Sequence, residues 1–282
     1  MHSQHIPCPD GAVLAGDLFV PSHSRGGVVI GSATGIKRQF YQPFAQFLAD
    51  NGFSVLTFDY RGIGDSLSKS VSDCDATLIK WGEIDLTAAL NHLKSRAPNR
   101  PLFLVGHSAG GQLAGLMRNA HDLCAMFNVG SSSGSLHNMR FSYQLKAHFF
   151  MNMFIPLSNL LFGHTKAQWV GIGEPLPPGV AKQWRRWCNG QGYVKTSFGK
   201  EITRHLYDEL TLPAKWVVAE DDDIACEKNV REMMSVYSKA ANTLEILQPS
   251  QWQLKRIGHM KFFSRQSAAL WQLPIEFFQQ CT

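Results

Sequence analysis

The chain has 282 residues, 44% hydrophobic and 17% charged, with 27 lysines and arginines against 22 acids for a formal net charge of +5. These values describe an ordinary globular protein, large enough for one α/β domain with an inserted subdomain. The mild positive charge comes without a dense basic stripe or a nucleic-acid module, which argues against a nucleic-acid partner.

No run reaches 18 apolar residues, so stable membrane insertion is not expected. The opening segment, MHSQHIPCPDGAVLAG, lacks the basic-then-apolar order of a secretory signal. The six cysteines, at positions 8, 74, 124, 188, 226 and 281, form no close metal-type or redox pair. A reduced, cytoplasmic location fits that spacing.

Residues 11–20 alternate as an early strand, half of a hairpin around Pro9-Asp10-Gly11. Residues 27–30 form the next strand core and run into the glycine-rich loop Gly31-Ser32-Ala33-Thr34-Gly35. The pattern predicts a helix over 41–50, closed by Asn51-Gly52. Residues 53–58 are nearly continuously apolar, as suits a central strand covered on both faces. A loop over 59–66 follows, then a helix over 81–96 and strands over 102–105 and 123–129. After 205 the alternation resumes with a strand at 215–219, a helix at 228–239 and a strand at 244–247. A terminal helix is expected over 267–280, bent or divided by Pro274. Strand–helix alternation of this kind predicts an α/β protein with a mostly parallel sheet.

Between these halves the texture changes. Residues 131–205 hold aromatic clusters, prolines and glycines but few strand patterns. Some 75 residues are too many for a simple connection. The expected organisation is therefore a core of residues 1–130 and 206–282 with an inserted cap at 131–205.

The most informative motif is Gly106-His107-Ser108-Ala109-Gly110. It follows an apolar strand and precedes the small residues Gly110, Gly111, Ala114 and Gly115, the setting that a nucleophile elbow requires. A serine hydroxyl attacks only when a base takes its proton and a third group orients that base. The downstream candidates are His259 and one of the three adjacent acids Asp221, Asp222 and Asp223, with Asp222 preferred. The order Ser, Asp, His, with each group after a successive strand, is that of an α/β-hydrolase triad. His107, next to the nucleophile, is expected to be structural. Oxyanion donors would be the amides of Ala109 and of Ala33 or Thr34 in the glycine-rich loop. That loop lacks a Walker ending, and Gly62-Ile63-Gly64 is not a dinucleotide fingerprint. The remaining histidines make no short-spaced metal set, so neither a metal nor an organic cofactor is expected.

With these motifs in place the chain resembles the α/β-hydrolase superfamily. It especially resembles bacterial serine hydrolases related to the monoglyceride lipase and serine aminopeptidase-like group. The resemblance rests on residues 31–35, 58–66 (Phe-Asp-Tyr-Arg-Gly-Ile-Gly-Asp-Ser), 106–110, 222–225 and 257–259. Such proteins often carry His-Gly where this chain has Gly31-Ser32, and an Asp-x-hydrophobic-x-Pro segment where it has Asp222-Asp223-Ile224-Ala225-Cys226. That alignment selects Asp222 and implies a somewhat altered turn at Cys226. The Asp65-Ser66 pair is read as a sheet-edge turn.

The implied activity is hydrolysis of a carboxylic ester through an acyl-enzyme. An amidase, peptidase or acyltransferase, or a noncatalytic binding protein on the same fold, are the alternatives. Phe149, Phe150, Met153, Phe154, Trp169, Trp184 and Trp187 are the candidates for an apolar acyl pocket, the equal alternative being the cap's own core. The expected partner is a small acyl substrate. The sequence is silent on oligomeric state.

Overall fold

Three segments, Gly26–Gly31, Phe53–Phe58 and Leu102–His107, are buried along their whole length. A strand can be covered on both faces only at the centre of a sheet flanked by helices. The computed structural model, which describes residues 1–281, puts them there. Eight strands form one sheet: β1 His2–Pro7, β2 Val13–Phe19, β3 Gly26–Gly31, β4 Phe53–Phe58, β5 Leu102–His107, β6 Leu123–Val129, β7 Pro213–Ala219 and β8 Ala241–Leu247. Their order is β1-β2-β4-β3-β5-β6-β7-β8. β1 and β2 form an antiparallel hairpin and β2 runs antiparallel to β4, while every pairing among β3 to β8 is parallel.

The helices follow the sequence pattern with local differences. α1 is Gln42–Asp50, with a proline in its first turn where a missing N–H costs nothing. The helix expected at 81 starts earlier, as α2 Leu78–Lys80, a π turn Trp81–Leu86 and α3 Thr87–Arg96. The helix after the elbow, α4, is one short piece, Ala109–Gln112, followed by the 3-10 turn Ala114–Leu116. Between β6 and β7 the chain is helical: α5 Phe141–Phe149, a π turn Phe150–Phe154, α6 Ile155–Phe162 and α7 Pro178–Asn189. α8 is Glu227–Val236. The expected terminal helix is divided, with 3-10 turns over Arg265–Trp271 and then α9, Gln272–Gln279, whose third residue is Pro274.

Two apolar cores lie on the two sides of the sheet. One joins α2, α3 and the inserted helices. The other joins α1 to the C-terminal segment through an aromatic cluster. In that cluster Phe263 meets Phe44 edge-on at 5.1 Å, and Phe278 stacks on Phe103 at 4.4 Å. Phe262 and Phe263 are buried, and full burial of such a side chain contributes about 1.5–3 kcal/mol. They follow His259 by three and four residues, so the cluster anchors the histidine loop.

The 59–66 loop is held by two buried arginines and their carboxylate partners. Arg38 meets Asp59, Asp17 at 3.1 Å and Asp65 at 2.8 Å. Arg61 meets Asp10 at 2.5 Å and Asp85 at 2.6 Å. Burial opposes the charge on Arg61, but these two carboxylates outweigh it and raise its pKa. Ser66 donates to the Asp59 carbonyl at 2.7 Å. Asp65 and Ser66 are thus parts of a structural turn.

Candidate active site

The carboxyl ends of β3, β5 and β7 lie at one edge of the sheet, and each leads into a candidate segment. After β5 the backbone turns at Ser108, with φ 50° and ψ −110°. A non-glycine residue there is strained by about 1–3 kcal/mol, so its surroundings must hold it. They do so through backbone contact. A Cβ on Gly110 would lie 2.0 Å from the Gly31 carbonyl oxygen, and one on Gly31 would lie 2.8 Å from Gly110 Cα. The turn therefore presses directly on β3. Position 31, where the resembling proteins often carry histidine, has no room for a side chain in this chain.

The Ser108 N–H donates to Val129 O at 2.9 Å, tying the elbow to the end of β6. Gly130 follows, with φ +59°. A Cβ on it would sit 3.2 Å from His259 Nδ1 and Cε1 and 3.5 Å from Asp222 Oδ2. This glycine makes the floor on which the imidazole rests. Nothing in its local sequence sets it apart from the glycines around it.

The three adjacent acids differ in their backbone and histidine partners, although Arg256 lies 3.7 Å from both Asp221 and Asp223. Asp222 Oδ1 accepts from the Ile224 and Ala225 amides, both at 2.8 Å, which leaves Oδ2 facing His259 Nδ1 at 2.8 Å. Asp221 accepts from the Gly258 amide at 2.8 Å and the Ile257 amide at 3.2 Å, so it fixes the turn that presents His259. Asp223 faces Arg256 at 3.7 Å. Cys226, in place of the proline, caps α8 and its thiol reaches the Asn138 carbonyl at 3.2 Å.

Burial shapes the charges of this pair. The His259 side chain keeps 14% exposure while that of Asp222 keeps 1%. Burial disfavours the imidazolium, but the Asp222 charge and hydrogen bond outweigh it and raise the His259 pKa. Burial likewise pushes Asp222 up, yet His259 and the two amides hold its carboxyl below the ordinary range.

His107 is fully buried, and burial together with the nearby His259 charge lowers its pKa to about 3. It is therefore neutral, with one N–H. Its Nε2 lies 2.9 Å from the His259 carbonyl oxygen, which can only accept, so the proton is on Nε2. Nδ1 must then accept from the Tyr41 hydroxyl at 2.7 Å. That hydroxyl in turn accepts from the Ala33 amide at 2.9 Å. A continuous chain thus runs from the glycine-rich loop through Tyr41 and His107 to the backbone of His259. Sequence reasoning missed Tyr41, because its partner lies 66 positions away.

The Ala33 amide is consequently engaged. Among the described residues the Thr34 and Ala109 amides have no such partner, and Ala109 is the first residue of α4, where an N–H lacks an intrahelical acceptor. The Ser108 hydroxyl is half-buried and makes no hydrogen bond to His259 in this arrangement.

The apolar residues of the inserted segment do not converge. Trp187 has no accessible area, donates from Nε1 to Ser197 Oγ at 2.7 Å and packs on Tyr193. A side chain that touches no water-sized space lines no acyl cavity, so Trp187 belongs to the segment's own core. Phe150 stacks on Phe154 and meets Trp184 edge-on, each at 5.7 Å. Phe149, Met153 and Trp169 are more than half exposed and are not enclosed by a pocket. No group of three or more His, Cys, Asp or Glu among the described residues converges as a metal site.

Residues 22–127 match the family described as "Serine aminopeptidase, S33". A soluble variant of the Saccharomyces cerevisiae monoglyceride lipase superposes with a TM-score of 0.71 at 15% identity, over 100% of this chain and 97% of that one. A Pyrococcus furiosus esterase gives 0.62 at 17% identity, over 99% and 90%. A thermophilic esterase of Thermogutta terrifontis gives 0.58 at 14% identity, over 100% and 99%. No curated protein matches the sequence. At these identities the structural likeness concerns the fold.

Proposed function

We propose that this chain, whose fold is that of the α/β-hydrolases, cleaves a carboxylic ester by passing the acyl group through Ser108. The observation that carries this reading is the buried Asp222–His259 pair at 2.8 Å beside a serine on a strained elbow. His259 Nδ1–H donates to Asp222, which leaves the Nε2 lone pair free to act as a base. The Ser108 hydroxyl rotates toward that nitrogen when substrate enters. As its oxygen attacks the acyl carbon, its proton passes to His259. The imidazolium so formed is stabilised by Asp222 and then protonates the leaving alcohol. Water repeats the sequence to release the acid and restore Ser108.

The negative oxygen of each tetrahedral intermediate is held by the Ala109 and Thr34 amides. Thr34 is favoured over Ala33 because Tyr41 already occupies the Ala33 N–H. Each such donor stabilises the transition state by about 2.7–4 kcal/mol. The group made by buried Phe150 with the half-buried Phe154 and Trp184 is the part of the inserted segment that suits an apolar acyl chain. Two neighbours in fold are named as a monoglyceride lipase and an esterase, which supports ester cleavage as the reaction.

The test is turnover of p-nitrophenyl esters from acetate to palmitate by wild type and Ser108→Ala. The expected result is a loss of about 10⁶ in kcat in the variant and a preference for medium or long chains. Equal turnover by the variant, or faster cleavage of peptide amides than of any ester, would overturn the reading.

A further inference from the structure

The inserted segment carries an apolar face that nothing among the described residues covers. Along α5, the π turn and α6, Phe141, Leu145, Phe149, Met153, Leu157 and Leu161 recur at every fourth position. All are between 53% and 76% exposed. The residues facing the other way, Ala147, Phe150, Met151, Ile155 and Ser158, are buried. On a regular α-helix a spacing of four drifts by about 40° per step, so six such residues would wind off one face. The wider π turn at Phe150–Phe154 takes back part of that drift and helps keep these side chains on the exposed side.

The stripe ends in an aromatic and cationic group. Leu160 is 80% exposed, and Phe162 meets Trp169 edge-on at 5.2 Å. The Lys166 ammonium lies over both rings, 5.2 Å and 5.6 Å from their centroids. An exposed tryptophan with a lysine ammonium over its ring is the arrangement that suits a lipid–water boundary. A cluster of exposed apolar side chains on this scale is the kind of patch that marks an interaction surface.

Charge indicates what covers the patch. Residues 131–205 contain nine lysines and arginines and two acids, leaving 18 of the 27 basic residues against 20 of the 22 acids in the rest of the chain. No acid occurs between Asp122 and Glu174. A concavity of about 630 Å³, lined in part by Lys182, Arg185, Arg186 and Lys200, opens at Asn152, next to Met153 of the stripe. Arg185 Nε donates to Asn152 Oδ1 at 3.2 Å, joining the basic group to the apolar helix. A second copy packed face to face would bring two such cationic rims together.

We propose that this face docks on an anionic lipid surface. The leucine and phenylalanine stripe enters the headgroup boundary, and the lysines and arginines beside it meet lipid phosphates. The inference is independent of the hydrolase reading.

The test is flotation of the whole protein with phosphatidylcholine vesicles containing or lacking phosphatidylglycerol, for wild type and Leu160→Glu/Leu161→Glu. Both leucines are exposed, so the variant keeps its core. Wild type is expected to float with the anionic vesicles, less so as salt rises, with the double variant weakened about tenfold or more. Failure to float, equal binding to neutral vesicles, or equal binding by the variant would overturn the proposal. So would light scattering that shows a wild-type dimer dissolved by the same substitutions, since the occupant would then be a second copy. Turnover of a soluble short-chain ester, measured alongside, reads the hydrolase proposal separately.

Discussion

Replacing Tyr41 by phenylalanine removes a single oxygen from a site with no exposure. That oxygen accepts from the Ala33 amide at 2.9 Å and donates to His107 Nδ1 at 2.7 Å. Phenylalanine fills the same space, so no cavity opens and the aromatic contact with Phe263 at 5.0 Å is kept. The cost is two buried polar groups without partners, each about 1–3 kcal/mol. Relief from burying the hydroxyl offsets part of it. A net loss of about 2–4 kcal/mol follows, or a fall in Tm of roughly 3–7 °C for a chain of this size. Urea unfolding of the two proteins measures the difference directly. A change under about 0.5 kcal/mol, the range of an ordinary surface substitution, would refute the chain of hydrogen bonds and the tautomer assigned to His107.

Asp222→Asn should lower kcat/KM by about 10⁴, because the imidazole loses both its orientation and the charge that stabilises its protonated form. Asp223→Asn, which removes only a distant partner of Arg256, should retain most of the activity in the same ester assay. The base must be neutral to work, and its folded pKa is raised. The acid limb of kcat/KM should therefore lie above the ordinary histidine value of about 6.5, with activity lost as pH falls through it. A limb below that value would count against Asp222 as the partner. Gly130→Ala places a methyl 3.2 Å from the imidazole at a φ of +59°. It should cost about 1–2 kcal/mol of stability from backbone strain. It should also lower kcat with little change in KM, read from full saturation curves.

The parts of this site that are local in sequence are legible there. The elbow announces itself because a strained turn between strand and helix needs glycines at fixed offsets, and the chain has them at 106 and 110. The strands are legible for a similar reason, since burial on both faces leaves continuous apolar runs. The choice among Asp221, Asp222 and Asp223 is not local. It depends on which carboxylates are taken up by the amides of residues 224, 225, 257 and 258. Tyr41 and Gly130 are silent in sequence because their roles are set by partners far along the chain. The aromatic residues of 131–205 were ambiguous for another reason: composition does not say which face of a helix points inward. The packing of the segment decides it, with Phe150 inside and Phe149 and Met153 outside.

The most direct test of an activated serine is intact-mass measurement after exposure to a small fluorophosphonate, with wild type and Ser108→Ala side by side. The account predicts one adduct on the wild type and none on the variant. An unlabelled wild type, or an adduct that persists in the variant, would contradict it.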